Sequence, residues 1–352
     1  MIDTNFYSLK ISNITKETED TVSISFDVDP TLSSKFDFIP GQYLTLKAMI
    51  NGEDIRRSYS ISSGKGEGLR VAVKQIQKGV FSTYANQELK VGQEMEVMPP
   101  TGNFVLKNQG NGSISVFVAA GSGITPVLSM VKETLSNTNQ TAVLIYGNKN
   151  MNSVIYKEEI EKLMDTYGDR LQMHYVISRD DSYDGLKGRI NVEIVKTVTE
   201  SINMSEISGV YLCGPEDMVK NTSTEFEFMG VSKDKIHFEL FFVAESEEAK
   251  EAESNLATGT SRVTMIIDDE EFEFELAMNG PTILEAGAEA GADLPFGCKG
   301  GVCCTCKAKV MEGKAKMIQN YALDPDEVEQ GFILTCQSHP ESDNLVVSFD
   351  EY

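Results

Sequence analysis

Six cysteines occur among the 352 residues, and the spacing of four of them defines a chemistry. Cys298, Cys303 and Cys306 read C-x4-C-x2-C within one glycine-rich run, and Cys336 follows. That is the ligand pattern of a plant-type [2Fe–2S] cluster, which accepts one electron and passes it on. Four thiolates must converge on two bridged irons, and a tight loop can supply three. Gly297, Gly300 and Gly301 let such a loop fold back and bring backbone N–H groups towards the sulfurs. Zinc sites favour separated Cys pairs or Cys/His sets, a shape this run lacks. A disulfide reading is weaker still in a large acidic chain without a secretion signal. Cys304 fits no ligand register and is expected to be a packing residue.

A second constellation lies mid-chain. Val118-Ala119-Ala120-Gly121-Ser122-Gly123-Ile124-Thr125-Pro126 sets a glycine-rich turn between a strand-like run and a helical one. Thr125 is expected to cap that helix and Pro126 to take its first position. A helix N-terminus with free backbone N–H groups favours a pyrophosphate. The turn is not the full G-x-G-x-x-G fingerprint, and any tight strand-to-helix turn also suits glycine.

The elements that must position these groups fall into three blocks and a linker. Residues 1–110 carry short alternating runs, such as Val22-Ser23-Ile24-Ser25-Phe26 and Leu69-Arg70-Val71-Ala72-Val73, parted by Gly and Pro turns. This predicts an antiparallel β-barrel. Residues 111–243 alternate strand-like and helical stretches, which predicts a parallel α/β sheet with right-handed crossovers. A helix is expected from Pro126 to Leu135 and another from about Tyr156 to Tyr167. Residues 244–260 are acidic and poor in apolar side chains, and read as a partly helical linker. Residues 261–352 open with two strands around an acidic turn, then a helix near Ile283 to Ala290. His174, His237 and His339 share no ligand spacing and read as strand or surface residues.

Composition bounds the function. The hydrophobic share of 41% and charged share of 24% are those of a globular protein. A net charge of -23 argues against a nucleic-acid partner, because phosphates would be repelled. No apolar run reaches the ~18 residues needed to cross a bilayer, and the start of the chain does not read as a signal peptide. The expectation is a cytoplasmic protein with no membrane partner.

Together these residues resemble ferredoxin–NADP reductase-type flavoenzymes fused to a C-terminal plant-type ferredoxin, over nearly the whole chain. Arg57-Ser58-Tyr59-Ser60 resembles the R-x-Y-S flavin motif. The resemblance implies that Tyr59 lies against the isoalloxazine, that Arg57 holds a flavin phosphate and that Ser60 bonds near the ring. Gly79-Val80-Phe81-Ser82 resembles the segment that meets the FAD pyrophosphate, and Val73 and Lys74 stand where backbone usually contacts the flavin. Gly121, Ser122, Gly123 and Thr125 resemble the nicotinamide-nucleotide turn, and Cys213-Gly214-Pro215 its partner motif. Catalytic roles are implied for Ser60, Cys213 and Glu239. The family's aromatic over the flavin would be Phe241 or Phe242, since Tyr352 lies beyond the ferredoxin block. The resemblance also implies a β-grasp-like α+β fold for that block.

The implied cofactors are FAD, a [2Fe–2S] cluster and NADPH, with NADH possible. Ser178 and Arg179, after the strand ending at Ile177, suit a 2′-phosphate, where NAD sites more often carry an acidic residue. A nicotinamide delivers two electrons as a hydride while the cluster takes one, so a flavin must stand between them. Segments such as Met98 to Phe104, Tyr146-Gly147-Asn148-Lys149 and His237-Phe238-Glu239 are similar to those of phenylacetyl-CoA epoxidase reductase subunits. The implied partner is an oxygenase component, first a di-iron monooxygenase of that type, second a Rieske-type dioxygenase. A general flavin or ferredoxin reductase, or a carrier module with vestigial flavin motifs, are the rival readings.

Overall fold

A computed structural model describes residues 3–107, 113–241 and 247–351. The chain divides into two compact units, one of Phe6–Phe241 and one holding the C-terminal residues. Among the described residues no helix is long and apolar enough to cross a membrane. The expected boundary at 110/111, Phe242, residues 244–246 of the linker, and Tyr352 lie outside the described residues.

The first unit begins with six antiparallel strands: β1 (Tyr7–Thr18), β2 (Thr21–Asp27), β3 (Tyr43–Ile50), β4 (Glu53–Ser60), β5 (Leu69–Lys74) and β6 (Glu94–Thr101). Their order is β4-β3-β6-β1-β2-β5. Ile61, just past β4, bridges Val71 on β5, so the two outer strands meet and the sheet closes. The alternating runs turn Leu9, Ile11, Ile24, Leu44, Leu46, Val71 and Val97 inward to form the core. Helix α1 (Val80–Gln87) lays Phe81 and Ala85 against that core.

The same unit continues into a parallel sheet: β7 (Ile114–Ala120), β8 (Thr141–Asn148), β9 (Leu171–Ile177), β10 (Leu186–Lys187), β11 (Ile207–Cys213) and β12 (Ile236–Glu239). Between them run α2 (Ile124–Asn137), α3 (Lys157–Tyr167), α4 (Val192–Thr199) and α5 (Glu216–Phe228). The order β10-β9-β8-β7-β11-β12 means that the chain walks outward from β7 one way, then returns to its other side. The switch point therefore lies between β7 and β11, the place where open α/β sheets bind ligands. The β7 and β11 runs are apolar on both faces because helices cover both.

Helix α2 starts earlier than its sequence predicts. A 3-10 turn over Gly121–Gly123 runs straight into it, so Gly123 holds the cap position and Thr125 lies inside the first turn. Thr125 Oγ1 donates back to the Ser122 carbonyl at 3.0 Å instead of capping. Pro126 becomes the third helical residue, where its missing N–H is still no loss.

The second unit opens with α6 (Glu247–Ser254), the helical part of the expected linker. There follow β13 (Thr260–Ile267), β14 (Glu270–Ala277), α7 (Ile283–Glu289), β15 (Lys307–Glu312), β16 (Ala315–Met317), α8 (Pro325–Glu329), β17 (Phe332–Leu334), β18 (Ser338–Pro340) and β19 (Asn344–Ser348). The main sheet runs β14-β13-β19-β15-β17, with β13 parallel to β19 and the other pairs antiparallel. Helix α7 starts with a capping box of Thr282 and Glu285. It packs so closely that a Cβ on Gly287 would strike the Met265 side chain. This is the expected β-grasp-like arrangement, with β16 and β18 forming a separate ribbon.

Candidate functional site

The nucleotide end of the site is built where two turns meet. Gly121-Ser122-Gly123 leaves β7 and Cys213-Gly214-Pro215 leaves β11. A Cβ on Gly123 would fall onto the Cys213 carbonyl, and one on Gly214 onto the Met218 methyl with Ala120 beside it. At Gly123, where the obstacle is backbone, only glycine lets the loops pack back to back. The 14-residue α2 has no side-chain cap, and its first N–H, that of Ile124, is taken by the carbonyls of the preceding 3-10 turn; the partial positive charge of its N-terminus, about half a unit, remains to attract an anion. The arrangement fits a nucleotide pyrophosphate.

Cys213 is fully buried, and burial, then the nearby Glu239 carboxylate, push its thiol well above the ordinary value. It is therefore protonated at neutral pH. Glu239 is its register partner across β11 and β12. Glu239 Oε2 also accepts a hydrogen bond of 3.3 Å from Ser60 Oγ, at the end of β4. The fold thus gathers the three residues of the expected catalytic set from β4 and from the adjacent strands β11 and β12.

The barrel carries the remaining expected residues. Arg57 is exposed, while its neighbour Arg56 is buried and tied to Asp54 at 2.9 Å. Ser58 Oγ shares a 3.3 Å hydrogen bond with Thr45. The Tyr59 ring is partly exposed and leans on Phe81 with centroids 5.5 Å apart. Desolvation of its hydroxyl raises the phenol above its usual range, so it stays neutral. Gly79 caps α1 and Ser82 Oγ receives the Ile76 N–H at 3.2 Å, which shapes the loop before the helix. A Cβ on Gly79 would overlap Ser82 Oγ and Ile76. Val80 is exposed, whereas the Phe81 side chain lies in the core and offers a ligand only its backbone. Val73 is buried with its carbonyl bonded to Asn86, and Lys74 pairs with Asp20 at 3.4 Å. An open aromatic face, an exposed arginine and a glycine-led helix start are the features that FAD needs, and the residues fit it.

Ser178 and Arg179 follow β9 and are anchored by backbone bonds to Asn148 and Lys149, at 3.0 and 2.8 Å. Arg179 is exposed. Phe241, just beyond β12, is 39% exposed and available to cover a planar ligand.

In the second unit the thiols of Cys298, Cys303, Cys306 and Cys336 converge. Cys298 hydrogen-bonds Cys303 and Cys306 hydrogen-bonds Cys336, which lowers the Cys303 and Cys336 thiols and raises their donors. Cys298 N donates to Cys303 Sγ at 3.4 Å and Gly300 N to Cys298 Sγ at 3.3 Å. Lys299 and Gly301 take left-handed backbone, with φ of 53° and 71°. Among the described residues no three of these cysteine side chains already stand in metal-holding geometry, but two neighbouring thiol pairs with backbone N–H groups at their sulfurs are the donor chemistry of a [2Fe–2S] cluster. Cys304 is buried inside the loop.

Spacing alone does not reveal two further contributors. The fully buried Tyr146 donates its hydroxyl to the Gly121 carbonyl at 3.1 Å and accepts from Ile155 N at 3.2 Å. Thr305 hydrogen-bonds the Cys303 sulfur. Only the tyrosine had a signal, its place in the Tyr146-Gly147-Asn148-Lys149 segment.

Residues 8–106 match the family model of the oxidoreductase FAD-binding domain, 117–224 that of the oxidoreductase NAD-binding domain, and 265–341 that of the 2Fe-2S iron-sulfur cluster binding domain. The chain is 38% identical to a subunit of 1,2-phenylacetyl-CoA epoxidase of Escherichia coli (strain K12), covering 99% of this chain and 98% of that protein. It is 30% identical to the ferredoxin reductase component of 3-ketosteroid-9-alpha-monooxygenase of Rhodococcus rhodochrous, covering 97% and 96%. The solved structure of phthalate dioxygenase reductase shares the fold, with a TM-score of 0.61 at 24% identity and 98% of each chain covered. The chain belongs to the family of oxidoreductases that join an FAD-binding domain, an NAD-binding domain and a [2Fe–2S] domain in that order, the family that includes this 1,2-phenylacetyl-CoA epoxidase component.

Proposed function

We propose that this protein takes electrons from NADPH and delivers them to an oxygenase component, a di-iron monooxygenase of the phenylacetyl-CoA epoxidase type. The observation that supports this most is the 38% identity to the epoxidase component over 99% of the chain. A different oxygenase is the second reading, favoured by the 30% identity to the 3-ketosteroid-9-alpha-monooxygenase component. FAD, held by the barrel residues, would supply the exchange between a two-electron hydride donor and a one-electron acceptor, and a [2Fe–2S] cluster held by Cys298, Cys303, Cys306 and Cys336 would supply the one-electron outlet.

The residues have these roles in the proposal. Arg57 and the N–H groups of Val80, Phe81 and Ser82, at the helix start that Gly79 caps, hold the FAD phosphates, and Tyr59 gives the ring its platform. Val73 and Lys74 contact the flavin through backbone. The turn from Gly121 to Thr125, with Gly214 and Pro215, seats the dinucleotide. Ser178 and Arg179 hold the 2′-phosphate and set the preference for NADPH. Glu239 accepts from Ser60 and fixes that hydroxyl. Cys213 stays neutral and so places no anion in the path of a hydride. Phe241 covers the flavin, and Cys298, Cys303, Cys306 and Cys336 hold the cluster.

The domain limits we propose are 1–110, 111–243, 244–260 and 261–352. A cytoplasmic location is supported by cysteine chemistry: all six cysteines are free, and a reducing compartment keeps ligand thiols available. The second unit exposes Asp268, Asp269, Glu270, Glu271, Asp324, Asp326 and Glu329, while Glu327 pairs with Lys307 at 3.1 Å. Exposed acidic charge of this kind speeds encounter with a basic partner more than it tightens binding. The deciding experiment is NADPH-driven reduction of a purified di-iron oxygenase at rising ionic strength. Reduction that slows with salt is expected. A flat salt response removes the electrostatic part, and no reduction of any oxygenase removes the rest.

A further inference from the structure

Beyond Ser60, the chain is stitched to the nucleotide-binding half of its unit almost residue by residue. Ser62 Oγ and the Tyr156 hydroxyl share a hydrogen bond of 2.6 Å. The Ser63 carbonyl accepts from Ser129 Oγ at 2.7 Å. Gly64 N donates to Glu67 Oε2 at 2.8 Å, and that carboxylate pairs with Lys132. Lys132 also pairs with Glu159, which binds Arg70 at 2.9 Å. The Arg70 guanidinium lies 4.5 Å over the Tyr156 ring.

The pegs beyond Ser60 all come from α2 and α3. Ser129 and Lys132 stand on α2, Tyr156 caps α3 and Glu159 lies within it. Glu239, which holds Ser60, stands on β12 across the switch point. The segment from Ser60 to Gly64 is therefore fixed from both halves of the parallel sheet. Ser129, Lys132 and Tyr156 are all buried. A buried ion pair adds little net stability, because desolvation offsets its attraction. Its geometry is nonetheless well defined, and geometry is what a hydride transfer needs: a misplacement of about 1 Å can cost about 100-fold in rate.

We propose that Ser129, Lys132 and Tyr156 are positioning residues for hydride delivery. They peg the segment after Ser60, so that its hydroxyl, and the flavin edge read beside it, stay aligned with Cys213 and Glu239. This rests on the reading of Ser60, Cys213 and Glu239 as the hydride-transfer end of the site.

The test uses the FAD-loaded full chain. Tyr156→Phe removes one hydroxyl and keeps the ring under Arg70; Ser129→Ala removes one donor; Ser60→Ala is the reference. Flavin reduction by saturating NADPH is followed by rapid mixing, and NADP+ affinity by titration of the flavin absorbance. Tyr156→Phe is expected to slow reduction about tenfold while the NADP+ dissociation constant shifts less than about twofold. The double variant Tyr156→Phe/Ser60→Ala is expected to be no slower than Ser60→Ala alone, because both act through one group. Should Tyr156→Phe not fold, Ser129→Ala carries the same expectation. A lowered melting midpoint with a wild-type reduction rate marks a merely structural role and overturns the proposal. If Ser60→Ala itself reduces at the wild-type rate, the reading of the site falls, and the proposal with it.

Discussion

Cys213 and Glu239 stand as register partners on adjacent parallel strands, a buried thiol beside a carboxylate that reaches on to Ser60. The pairing brings a carboxylate, a hydroxyl and a neutral thiol together. Glu239→Gln keeps the shape and removes the charge. It is expected to slow flavin reduction by about 10- to 100-fold with little change in NADP+ affinity. Rapid-mixing traces at saturating NADPH check this, and an unchanged rate removes Glu239 from the catalytic set.

The cluster prediction separates five cysteines. Ser in place of Cys298, Cys303, Cys306 or Cys336 is expected to strip the [2Fe–2S] centre while NADPH still reduces the flavin. Cys304→Ser is expected to keep its iron. Iron and sulfide analysis with the visible spectrum decides; equal iron loss in all five would undo the ligand assignment.

The flavin is expected to be FAD, with Arg57→Ala and Tyr59→Ala each weakening retention about tenfold or more, the scale of one lost charged hydrogen bond or stacking contact. Mass spectrometry of the flavin released from the native protein identifies it, and equilibrium dialysis measures retention. FMN as the native species would contradict the reading of the Gly79 to Ser82 loop.

How far these groups are legible in sequence depends on how many residues lie in one loop. Three cluster ligands share one loop, and Gly121, Ser122 and Gly123 share one turn, so their spacing carries the chemistry. The barrel strands are legible because Val22, Ile24 and Phe26 alternate with small polar residues. The Ser60–Glu239 contact is not, since 179 positions separate the partners and only the closed sheet and the switch point bring them together. Thr125 suits a cap by its type alone. The 3-10 turn before it moves the helix start and turns its hydroxyl back onto Ser122.

Coenzyme choice is expected to lie with Arg179. Arg179→Ala should raise the KM for NADPH about tenfold and leave that for NADH nearly unchanged, as for one lost charged hydrogen bond. Steady-state kinetics with both coenzymes test it. An equal loss with each, or none with NADPH, counts against the assignment.

His237 gives a pH prediction. Burial, then the Lys107 charge, hold its pKa down to about 4 from an ordinary 6.5, against a smaller upward pull from Asp234. The folded protein therefore binds fewer protons than the unfolded chain between those values, so stability present above about pH 6.5 is lost as pH falls towards about 4. His237→Gln should flatten that part of the curve of melting midpoint against pH. A glutamine variant that loses stability as steeply as the wild type would show that other groups set the slope.

Helix α6 has a consequence for anyone dissecting the protein. Its Ala252 carbonyl accepts from Lys316 Nζ at 3.4 Å on the β16 strand, Ala249 on it is buried, and Glu253 lies in the electrostatic reach of buried His339 on β18. A fragment cut at Ser261 would keep every cluster cysteine yet bare the ribbon formed by β16 and β18. One begun at Glu247 would retain its cover. The eight helical residues also span only about 12 Å, against roughly 26 Å if extended, so the tether is shorter than its residue count implies.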